Sequence, residues 1–233
     1  MTRTHGGMLM PGRFRNRSDA GRRLASVLPE YRGRADVLVL ALPRGGVPVA
    51  FEVARALDVP LDVFIVRKLG VPGHEEYAMG AIASGGACLI DESVVRELRI
   101  TEDEIDRVAE AEQHELGRRE RQYRGERPLP DIAGRTIILV DDGLATGASM
   151  RVAVSALRQE HPARIVVAVP IAPPDTCDAL RREADDVVCA VTPEPFYAVG
   201  VWYDDFAQTT DEEVHELLGR AQRELAPAPL PRR

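Results

Sequence analysis

At 233 residues, 45% hydrophobic and 29% charged, the chain is long enough for one α/β domain with a full buried core. Its formal charge of −7 argues against a nucleic-acid partner, which would require a basic face. The longest apolar run, 165–174, is proline-broken and too short to span a bilayer, and 6–11 is too short and broken for a signal peptide, so a cytoplasmic protein with no membrane partner is expected.

In chain order, residues 1–13 read as a disordered N-terminus. A helix then runs to about Leu28, with Ser18 or Asp19 as its N-cap. Residues 36–42 form a continuous apolar run of strand length, followed by Pro43-Arg44-Gly45-Gly46, a helix over 49–57 and a strand over 61–66. This strand–helix–strand unit implies a parallel pair with a crossover helix. Residues 69–80, rich in Gly, Pro and charge, read as a mobile loop before two short strands near 78–84 and 87–91. Helices are expected at 91–98 and 102–123, a strand at 135–141, a helix at 146–160 and a strand at 164–171. A helix at 174–183, a strand at 186–191 and a helix at 211–225 follow, with 226–233 a disordered Pro/Ala-rich tail. The alternation predicts an α/β fold with an open, mainly parallel sheet flanked by helices.

Two compositional features bear on chemistry. Cys88, Cys177 and Cys189 have no C-x-x-C spacing and read as small apolar residues in a reducing compartment, with no metal site implied. Of the 30 basic residues only Lys68 is not Arg. It marks either a position where a compact ammonium serves and a planar guanidinium does not, or an incidental surface lysine.

The densest signal is Ile137-Ile138-Leu139-Val140-Asp141-Asp142-Gly143-Leu144-Ala145-Thr146-Gly147-Ala148-Ser149. A buried strand ends in two carboxylates able to accept hydrogen bonds from vicinal hydroxyls. A Gly/Thr/Ser turn then opens a helix whose first N–H groups and dipole favour a phosphate. The pattern fits a sugar phosphate. A Walker loop lacks its Lys here, a dinucleotide fingerprint lacks its Gly-x-Gly-x-x-Gly, and an aspartate-based phosphatase lacks Asp-x-Asp.

These residues resemble the phosphoribosyl-pyrophosphate (PRPP) signature of the type I phosphoribosyltransferases, and Asp-Asp-x-Leu-Ala-Thr-Gly is most similar to the adenine phosphoribosyltransferase version. Arg44, Gly45 and Gly46 resemble that family's pyrophosphate loop. Arg67-Lys68-Leu69-Gly70 with Glu76-Tyr77 is similar to the Arg-Lys pair and Glu-Tyr of the adenine enzymes. The stretches Phe14–Ala25 and Phe196–Phe206 resemble a group of bacterial predicted phosphoribosyltransferases.

The resemblance implies a single domain over 14–225, with a core at about 36–190, a small hood from 14–35 and 192–210, and a helical insertion near 92–125. It implies transfer of ribose 5-phosphate from PRPP to a nitrogenous base or similar acceptor with release of pyrophosphate, dependent on Mg²⁺, in a homodimer. Asp141 and Asp142 would bind the ribose hydroxyls, directly or through metal-bound water. Gly143 would contribute to PRPP binding, and Ala145, Thr146, Gly147, Ala148 and Ser149 would cradle the 5′-phosphate. Arg44, Gly45, Gly46, Arg67 and Lys68 would hold pyrophosphate, with 69–80 closing over the substrates. Hypoxanthine–guanine enzymes carry an Asp where this chain has Ala145, which disfavours that class. Glu75 or Glu76 is the nearest candidate base, though both also read as solvated loop carboxylates. Five of the eleven aromatic residues fall between 196 and 206, and packing is favoured over stacking on a base. A non-catalytic PRPP-binding regulator is the alternative.

Overall fold

The computed structural model describes residues 12–225. The segments expected to be disordered, 1–13 and 226–233, lie outside the described residues except for Gly12 and Arg13. Arg13 is tied down, donating from its guanidinium to the Tyr203 carbonyl at 2.8 Å.

Five strands form one parallel sheet: β1 (Val37–Ala41), β2 (Leu61–Val63), β6 (Thr136–Val140), β7 (Arg164–Ile171) and β8 (Asp186–Val191), in the order β2-β1-β6-β7-β8. Both faces are covered, so the strands are apolar on both sides. Val37, Val39 and Ala41 of β1 enter one core layer, and Leu38 and Leu40 the opposite one. On the first face lie α1 (Arg17–Ala25), α2 (Gly46–Leu57) and α7 (Asp211–Leu225), with α4 (Glu102–Arg124) packed on α7 and joining the same core layer, while α5 (Ala148–Gln159) and α6 (Pro174–Leu180) cover the second. The short α3 (Glu92–Leu98) precedes α4. The expected mainly parallel α/β architecture is present.

A second, three-stranded antiparallel sheet contains β3 (Val66–Val71), β4 (His74–Ala83) and β5 (Cys88–Ile90). It corrects the reading of 69–80 as a loop. Val71 pairs with His74 around Pro72-Gly73, a two-residue turn in which Gly73 adopts φ +77°. Proline presets the first turn position and glycine supplies the left-handed second one, so the residues that looked like loop material close a hairpin. The chain also leaves the parallel sheet at Val63 instead of 66, because Phe64 and Ile65 turn into this second sheet.

Other boundaries shift for local reasons. Asn16, not Ser18 or Asp19, caps α1, its Oδ1 accepting from the Asp19 N–H at 2.9 Å. The motif helix starts at Ala148, since Gly147 in the left-handed region is its N-cap. The sulfur atoms of Cys177 and Cys189 are joined, linking α6 to β8 and correcting the reading of three separate thiols. The two residues are 12 apart in sequence but meet where α6 packs on the sheet. Cys88 is free.

The N- and C-terminal segments meet. Phe14 bridges to Tyr203, donates from its N–H to the Trp202 carbonyl at 2.8 Å, and accepts from the Asp204 N–H at 2.8 Å. Phe14, Ala20, Ile171, Trp202 and Tyr203 form a small core of their own. Among the described residues no helix is long and apolar enough to cross a membrane.

Candidate active site

Open parallel sheets bind ligands beyond the carboxyl ends of their strands. Two neighbouring strands, β1 and β6, end here in the glycine turn at 43–46 and the acids Asp141-Asp142. A Cβ on Gly45 would overlap Asp142 Oδ2, and one on Gly46 would stand 2.8 Å from the Val140 carbonyl oxygen. The two glycines are therefore required for the turns to approach each other this closely.

Asp141 Oδ1 accepts from the Asp142 N–H at 2.8 Å. Burial, reinforced by the Asp142 charge, pushes the Asp141 carboxyl well above the ordinary carboxylate range. Burial raises Asp142 as well, opposed by Arg17 beside it. Arg17, at the first turn of α1, directs Nε and Nη2 onto Asp142 Oδ2, each at 2.8 Å. Its Nη1 donates to the Ala207 carbonyl at 2.6 Å, and the guanidinium carbon lies 4.0 Å from the centre of the Phe206 ring. The Tyr203 hydroxyl donates to the Asp142 carbonyl at 2.5 Å, and Val199 covers Gly143. Four of the aromatic residues at 196–206 thus have packing roles or contact this support (Phe196, Trp202, Tyr203 and Phe206), while Tyr197 is 77% exposed.

The rest of the motif forms the turn that leads into α5. Thr146 Oγ1 accepts from the Ala148 N–H at 3.4 Å, and Ala148 and Ser149 are exposed at the start of α5. The turn is braced from α6, where Thr176 Oγ1 donates to the Ala145 carbonyl at 2.7 Å.

The remaining predicted residues lie apart from the acids. Arg67 and Lys68 share a cavity of about 830 Å³ with Ala148, Ser149 and Arg107 of α4, while Asp141 and Asp142 lie outside it. Arg67 is paired with Glu112 of α4 at 2.5 Å, and Lys68 with Glu76 at 3.2 Å. Arg44 turns toward α7, 3.8 Å from Asp211, whose Oδ1 also accepts from the Tyr123 hydroxyl at 2.5 Å. Glu76 is thus engaged by the lone lysine. Sequence reasoning missed Arg17, Glu112, Thr176 and the Tyr203 hydroxyl.

A model of the phosphoribosyl transferase domain matches residues 13–204. The chain belongs to the type I phosphoribosyltransferase family. A Mycobacterium tuberculosis protein named "Putative phosphoribosyl transferase" is 46% identical over 215 residues, which are 92% of this chain and 48% of that protein. The chain thus spans about half the length of the curated relatives it matches. The crystal structure of TT1426 from Thermus thermophilus shares 45% identity with a TM-score of 0.78, covering 88% of this chain and 97% of that one. In this phosphoribosyltransferase fold the glycine turn and the acidic pair end adjacent strands at the carboxyl edge of the sheet.

Proposed function

We propose that the chain transfers ribose 5-phosphate from PRPP to a nitrogenous base or similar acceptor, with release of pyrophosphate and dependence on Mg²⁺. The observation that carries this reading is the approach of Gly45-Gly46 to Asp141-Asp142 at the ends of β1 and β6, beside the open first turn of α5. In it, the turn 145–149 receives the 5′-phosphate through N–H groups and the Thr146 and Ser149 hydroxyls, and the acids accept from the ribose hydroxyls. As the C1′–O bond breaks, positive charge grows on the sugar, and the fixed carboxylates lie where it is favoured. Arg44, Arg67 and Lys68 hold the departing pyrophosphate once their present carboxylate partners yield to it.

The donor set suits Mg²⁺ only in part. Among the described residues no group of three or more His, Cys, Asp or Glu side chains could hold a metal ion. Asp141 and Asp142 would hold Mg²⁺ together with PRPP oxygens and water, as this ion prefers. Bound there, it would neutralise charge on the pyrophosphate.

The test is pyrophosphate release from PRPP and Mg²⁺ over a panel of bases. Release with one acceptor supports the transferase, and absence of PRPP binding would sink the reading. The Arg67–Glu112 pair favours one alternative, a regulator that binds PRPP without turnover, because a β3 cation held by a carboxylate of α4 is not free for a leaving group. Binding without turnover on any acceptor would establish it. For the transferase, Lys68→Arg is expected to lower kcat more than it raises the Kd for PRPP, since a broader planar group replaces a point charge. Equal turnover in steady-state assays would refute a special role for the lysine.

A further inference from the structure

Arg17 belongs to neither of the loops described for the sugar-phosphate end, yet its charge lies between them. It touches Asp142, and a Cβ on Gly45 would stand 3.4 Å from its Nε. Its side chain is only 12% exposed and is held by three contacts of different kinds: the carboxylate, the Ala207 carbonyl and the Phe206 ring. A guanidinium stays charged at any physiological pH.

A plain anchoring role for α1 explains less. That helix is already fixed on α2, where Gly21 lies so close that a Cβ would stand 2.5 Å from the Val49 carbonyl oxygen, and where Arg22 pairs with Glu52 at 3.2 Å. The Arg17 contact instead does something local to Asp142. Both donors converge on Oδ2, leaving Oδ1 outside the contact, and a positive charge compensates one of two adjacent, half-buried acids.

We infer that Arg17 is a resident cation of the PRPP site, occupying the position beside Asp142 that a divalent metal would otherwise take, so that metal enters only together with PRPP. The inference rests on the donor reading above for its ligand, but not for its readout. A free acidic pair attracts a divalent ion strongly, whereas one carrying a fixed guanidinium has half the net charge and a cation beside it, and attracts the ion far less.

The test is Mn²⁺ binding to the full chain, followed by electron paramagnetic resonance with and without PRPP. The wild type is expected to bind Mn²⁺ weakly alone and more tightly with PRPP. Arg17→Gln is expected to bind Mn²⁺ without PRPP about tenfold or more tightly than the wild type. Adding Asp142→Asn is expected to abolish that gain, and Arg17→Lys, which keeps the charge, to stay close to the wild type. Equal Mn²⁺ affinity in the wild type and Arg17→Gln would overturn the inference, even if both bind PRPP. A gain in Arg17→Gln with no PRPP binding to any form would support it while sinking the donor reading. Should Arg17→Gln fail to fold, Arg17→Met removes the charge and keeps an apolar stem against the Phe206 ring. The same gain in Mn²⁺ affinity is then expected, and no gain overturns the proposal.

Discussion

Asp142→Asn is expected to lower kcat/KM for PRPP by roughly 100- to 1,000-fold while leaving the fold intact, the scale typical of losing one preorganised electrostatic group at a reacting centre. Asparagine retains an oxygen for Arg17 and nearly the same shape, so the packing of Gly45 against it survives. What it loses is the negative charge that, on the proposed reading, offsets the positive charge growing on the sugar as the C1′–O bond opens. Pyrophosphate release measured against PRPP concentration, beside far-ultraviolet circular dichroism, checks both halves. A variant with wild-type kcat/KM would remove Asp142 from the chemistry.

Arg124→Ala is expected to destabilise the chain by about 3–5 kcal/mol, because it strands a buried carboxylate. Arg124, the last residue of α4, is 5% exposed. Its Nε donates to Asp62 Oδ1 at 2.9 Å, its Nη1 to Glu120 at 3.1 Å and its Nη2 to the Val63 carbonyl at 2.7 Å. Nη2 also reaches Ser84 Oγ at 3.4 Å, whose oxygen accepts from the Ile65 N–H. This one side chain joins the inserted helix to the edge strand β2 and to the departure of the chain into the second sheet. Urea unfolding gives the loss as a lower midpoint. Replacing both partners with apolar residues, Arg124→Met with Asp62→Leu, is expected to recover most of it, since no unpaired charge then remains buried. A single variant as stable as the wild type would show that the network contributes nothing net.

Much of this architecture is legible in the residues. β1, β6 and β7 are continuous apolar runs because both sheet faces are covered, and that pattern carries its own boundaries. The acids and the turn into α5 are readable because they are contiguous. The hairpin at Pro72-Gly73 is also written locally, but the Gly, Pro and charge around it outweigh the turn chemistry and read as a loop. Contacts made at a distance leave no such trace. Arg17 meets Asp142 across 125 positions, Arg67 meets Glu112 across 45 and Arg124 meets Asp62 across 62. In a chain with 29 arginines, nothing local distinguishes the one that becomes a partner of the acidic pair.

The supports of Asp142 come from both ends of the domain, Arg17 from one and Tyr203 and Phe206 from the other. Synthesis runs from the first end to the second. The last strand of the parallel sheet ends at Val191, but the aromatic roof over Arg17 does not exist until residue 206 has left the ribosome. A nascent chain can therefore hold all five parallel strands before the brace around Asp142 is complete. A chain cut short after β8 would keep Asp142 and Arg17 but lack the Tyr203 hydroxyl and the Phe206 ring that brace them.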